Sequence, residues 1–71
     1  MTTPDNDLEA ALAIHAQLRD ELLAALDRLE KRQAAGGIGV EYLAEVDALS
    51  SKLERSAAAL QLRISEALDR L

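Results

Sequence analysis

All three glycines of this chain fall within Gly36-Gly37-Ile38-Gly39, and the cluster divides two leucine-rich stretches of about equal length. Glycine reaches positive φ without steric cost and closes helices at the C′ position. A glycine cluster midway along a chain dominated by Ala, Leu, Glu and Arg therefore predicts helix, tight turn, helix. A loop this short forces the arms antiparallel. The expected fold class is all-α, a single antiparallel two-helix hairpin with a coiled-coil-like seam: helix 1 over about 4–35, turn 36–39, helix 2 over about 40–71.

Local signals place the ends. Thr3 can cap, Pro4 suits the first helical position where its missing N–H is harmless, and Asp5, Asp7 and Glu9 complement the positive end of the helix dipole. Lys31 and Arg32 favour the C-terminal end, and Gly36 is the expected C′ residue. Helix 2 lacks a Ser, Thr, Asp or Asn cap, so Gly37 or Gly39 must serve. With Gly39 as N-cap, Ile38 and Leu43 fall at the positions of a hydrophobic staple.

On helix 1 the apolar residues Leu8, Ala11, Leu12, Leu18, Leu22, Ala25, Leu26 and Leu29 recur at three- and four-residue steps. Projected at 100° per residue, the apolar face spreads from Ile14 at roughly −80° to Leu23 at roughly +100° around Leu22, too wide for one partner helix. Leu12 and Leu23 on one shoulder and Ile14 on the other therefore call for further cover. The stripe of helix 2 is expected along Tyr42, Val46, Leu49, Leu53, Ala57, Leu60, Ile64, Ala67, Leu68 and Leu71, flanked by Ser50 and Ser56. Behind it lies a row of small residues, Val40, Ala44, Ala48, Ala58, Ala59 and Leu62, where charges are usual. It is a candidate docking surface; alternatively, alanine simply fills exposed positions as the best helix former, an account that only Leu62 resists.

Composition narrows the function classes. Seventy-one residues make one domain at most, whose core rarely supplies more than roughly 3–5 kcal/mol. There is no cysteine, hence neither a disulfide staple nor a thiolate zinc site. The net charge of −5 argues against a nucleic-acid binder. Met1 to Glu9 is polar and acidic, unlike a secretory signal, and no apolar run approaches the roughly 20 residues of a membrane span. The expectation is a cytoplasmic protein with neither membrane nor nucleic acid as partner.

Nothing in the sequence assembles a catalytic or metal site, and no cofactor is expected. His15 projects onto the seam with Arg19 one turn on and no ligand companions, so it reads as a structural or edge-of-core histidine. Glu41 and Glu45 share a helix face, as on any solvated helix, without the Glu-x-x-His pattern of di-iron bundles. The glycine cluster lacks the Lys-Ser/Thr of a P-loop. Tyr42, the one aromatic residue, either plugs the closed end of the hairpin or offers its hydroxyl to a partner.

The hairpin length, the Gly36-Gly37 turn and Tyr42 five residues beyond Gly37 together resemble the small YscE/PscE-type proteins of bacterial type III secretion, across about residues 18–60. Ile38, Gly39 and Val40 depart from the more polar turn of that family, and helix 2 is richer in alanine. The resemblance implies a non-enzymatic cytoplasmic co-chaperone that stabilises a tetratricopeptide-type helical-repeat chaperone and helps hold the needle subunit monomeric before export. Partner-binding residues are expected among Leu12, Ile14, Leu23, Tyr42, Ala44, Ala48, Ala58 and Leu62, with Gly36, Gly37 and Gly39 forming the turn. The alternative is a structural homodimer in which two hairpins make an antiparallel four-helix bundle with no secretion role.

Overall fold

The computed structural model describes residues 4–37 and 39–71. It is an antiparallel hairpin of two helices, α1 (Pro4–Ala34) and α2 (Val40–Asp69), packed along their length into a rod of 53 × 18 × 14 Å. Thr3 and Ile38 lie outside the described residues, and with them the expected cap of α1 and the proposed staple.

The turn works through hydrogen bonds that match the glycine positions. Gly36 has φ +99°, its N–H donates to the Gln33 carbonyl at 3.0 Å, and the Gly37 N–H donates to the Arg32 carbonyl at 3.4 Å. Those two bonds are a Schellman closure with Gly36 at C′, and they satisfy carbonyls that the end of α1 would otherwise leave open. Gly39 is the N-cap of α2, extended at φ −83° and ψ 104°, with no side-chain hydrogen bond to help. Its need for glycine is spatial: a Cβ there would collide with the Tyr42 ring and press on Arg32 Cγ. Tyr42 thus folds back over the turn, half-buried, with Gly39 buried beneath it.

The packing seam departs from the expected stripe. Residues turned inward on α1 follow Leu8, Ala11, His15, Leu18, Leu22, Ala25 and Leu29, and on α2 Tyr42, Val46, Leu49, Leu53, Ser56, Leu60, Arg63 and Ala67. Both runs alternate steps of three and four, the 3.5-residue repeat of helices that wind around each other. Ala57, Ile64 and Leu68 therefore leave the seam and are exposed, and Ser56 and Arg63 take their places. The expected stripe came from a straight-helix projection, which drifts about 20° per heptad away from the true line of contact.

The seam hides very little. Among the described residues Ala25, 1% exposed, is the one buried hydrophobic side chain, and every leucine of the seam keeps some solvent contact.

The turn chemistry predicts a graded response to adding a methyl group. Gly36→Ala, forced to positive φ, is expected to lower stability by about 1 kcal/mol or more in urea unfolding. Gly37→Ala meets only the flexible Arg32 side chain and is expected to change it by under about 0.5 kcal/mol. Equal effects of the two would contradict the Schellman closure.

Candidate functional site: the uncovered sides of the hairpin

Two cross-helix contacts set how the arms line up. Arg28 donates to Glu45 Oε1 across the seam near the turn, and His15 Nδ1 lies 3.2 Å from Ser56 Oγ further out. His15 and Ser56 are both half-buried, and they put a polar layer into a seam that is otherwise apolar from Leu18 to the turn. A polar layer weakens packing but fixes register, since a slip would leave both groups facing leucine.

The same contacts define two sides of the rod. Asp7, Ala10, Ala11 and Ile14 share a shallow open groove with Ser56, Ala59 and Arg63. Glu21, Ala24 and Arg28 share a second with Glu45, Ala48, Leu49 and Lys52. Both grooves lie on one side, where small side chains alternate with charges. The exposed large apolar residues there are Ile14 and Leu62, each 57% exposed.

The opposite side is different. Helix geometry places there Leu12, Leu23 and Leu26 of α1 with Val40, Leu43, Ile64 and Leu68 of α2. Of these all but half-buried Leu26 are between 42% and 74% exposed. These six large apolar side chains gather in two groups on that side, Leu12, Ile64 and Leu68 toward the open end and Leu23, Val40 and Leu43 toward the turn, with Arg19 between them.

The expected partner residues therefore divide. Leu12 and Leu23 lie on the apolar side; Ile14, Ala48 and Leu62 belong to the groove side; Ala44 and Ala58 point away from α1 altogether. Tyr42 packs over Gly39 at the closed end. Leu43, Ile64 and Leu68, assigned by projection to the staple or the seam, are instead exposed beside Leu12 and Leu23. A count of 3.5 residues from Leu53 falls midway between 42 and 43 and between 63 and 64, so the choice between the members of each pair comes from the packing against α1.

The ion pairs within each helix lie at the surface, apart from the half-buried Arg63 and Glu66. Lys31 Nζ lies 2.9 Å from Asp27 Oδ2, and that hydrogen bond, reinforced by the carboxylate's charge, holds the Lys31 amine above its ordinary value. Arg63 Nη1 reaches Glu66 Oε2 at 3.2 Å, and Arg19 Nη2 lies 3.5 Å from Asp20 Oδ1. Among the described residues no three His, Asp or Glu side chains converge to hold a metal ion, and no helix is long and apolar enough to cross a membrane.

Comparison with known proteins adds no relative: no family model matches the chain, and neither a curated protein nor a solved structure is a significant match.

The polar layer makes a stability prediction. Replacing both partners, as His15→Leu with Ser56→Leu, is expected to raise stability by about 1–2 kcal/mol in thermal or urea unfolding, because burial of two leucines exceeds the modest net worth of one hydrogen bond. Ser56→Leu alone, which strands the imidazole against a leucine, is expected to gain less. A double variant less stable than the starting chain would show that the layer supports the pair rather than weakening it.

Proposed function

We propose that this chain is a non-enzymatic protein-interaction module whose exposed apolar side docks against another helical protein. The observation that carries the proposal is the contrast, among the described residues, between a single fully buried hydrophobic residue, Ala25, and six large exposed ones along one side. A hairpin that leaves its leucines in water gains stability from whatever covers them, so folding and binding are thermodynamically linked.

More finely, we propose a type III secretion co-chaperone, which stabilises a tetratricopeptide-type chaperone and helps keep the needle subunit monomeric in the cytoplasm. Support comes from the turn: the Gly36-Gly37 closure and Tyr42, the features that carry the resemblance to YscE/PscE-type proteins, form one packed unit at the closed end. Helical repeats expose helix pairs along their length and present a surface of the kind an unpaired helical face requires. A homodimeric four-helix bundle is the second reading, favoured by a face that runs the length of the rod and suits a second copy of equal length.

The two readings separate in solution. Sedimentation over a concentration series is expected to give a monomer with a shallow, low-temperature melt. Co-expression with a needle-subunit chaperone of the same genome is expected to yield a stable heterocomplex and to raise the melting temperature. A tight dimer with one sharp transition, indifferent to the chaperone, would overturn the co-chaperone reading in favour of the bundle.

A further inference from the structure

The charges bordering the apolar side bear on what covers it. Its stripe is edged by Glu9 and Glu30 on α1 and by Asp47 and Glu54 on α2, all exposed, while Arg19 at mid-length is the cation on that side among the described residues. The groove side, by contrast, mixes signs, with Arg28, Lys31, Lys52 and Arg55 among its carboxylates. The apolar stripe is therefore framed by negative charge at both ends and along both edges.

Building on the interaction-module reading, we infer that this side receives a single amphipathic helix of a different protein, with an apolar seam, Lys or Arg along both edges, and one carboxylate near its middle to meet Arg19. Charge complementarity selects this occupant. A second copy of the chain would bring the same four carboxylates against their equivalents and could offset them with one arginine. A basic-edged helix leaves none of them facing like charge. Geometry agrees: Leu12, Leu43 and Ile64 line the valley where α1 and α2 meet, and Leu23 and Leu68 stand on its shoulders, so one helix seated there completes a three-helix bundle. About 22 residues, roughly 33 Å of helix, would run from the Leu23–Leu43 end to the Leu12–Ile64 end.

Two labelled peptides of that length test the inference by fluorescence anisotropy against the full chain, one with an apolar stripe and Lys edges, the other with the same stripe and Glu edges. The Lys-edged peptide is expected to bind one per hairpin and about tenfold more tightly at about 50 mM NaCl, with the difference largely gone near 500 mM. Asp47→Lys with Glu54→Lys is expected to shrink the preference at least about fivefold. Leu12→Glu with Ile64→Glu is expected to abolish binding, while Ile14→Glu with Leu62→Glu, on the groove side, leaves it intact. Far-UV circular dichroism checks that helicity persists; should the Leu12/Ile64 variant lose it, the Asp47/Glu54 pair, which alters only exposed carboxylates, decides. Equal binding of both peptides, or loss of binding in the Ile14/Leu62 variant alone, overturns the inference yet leaves the interaction module standing. A tight homodimer broken by Leu12→Glu overturns it in favour of a second copy. A stable monomer that binds neither peptide overturns both.

Discussion

Two helices wound around each other can cover only the narrow strip where they meet, and the rest of this molecule follows from that limit. Each residue has at most one neighbouring helix, so even a seam position keeps one flank in water unless its side chain is very small. Ala25 meets that condition and is 1% exposed; Leu22 and Leu29 beside it on the seam do not. A third or fourth helix is the usual way for a helical protein to cover the remaining apolar width. Here most of that width lies on one side, with Ile14 and Leu62 on the other.

Stability is also uneven along the rod. Toward the turn the seam is built of Leu22, Ala25, Leu29, Tyr42, Val46, Leu49 and Leu53, tied by the Arg28–Glu45 pair and the Schellman closure. Beyond Leu18 it admits His15, Ser56 and Arg63, and the apolar residues of the same stretch, Leu12, Ile64 and Leu68, turn outward. The open half therefore has the more polar seam, where local opening costs least, while exposed leucines lie toward both ends of the rod. The charge of −5 on so small a chain works against self-association of such a surface.

The turn links architecture to function more closely than a connector need. Gly36 supplies a backbone angle, Gly37 a hydrogen bond and Gly39 an empty space that the Tyr42 ring occupies. Together they hold the arms in register from the closed end, and register determines which leucines face inward. Rotating α2 by one position would carry Ser56 or Arg63 out of the seam and hide part of the apolar stripe.

By itself the sequence determined the hairpin, the position and chemistry of its turn and the surplus apolar width carried by Leu12, Ile14 and Leu23, because these depend on local backbone preference and on periodicity within one helix; it left the N-cap of α2 open between Gly37 and Gly39, and the structure assigns Gly39. Tertiary structure decided which residues meet. Supercoiling shortens the repeat from 3.6 to 3.5 residues, a difference that moves Ile64 and Leu68 out of the contact line and Ser56 and Arg63 into it over a few turns. It also decided that Leu12 and Leu23 share a side with Leu43 and Ile64 while Ile14 shares the other with Ala59. No single-helix pattern contains that pairing, since it arises only when two chiral rods choose a register against each other.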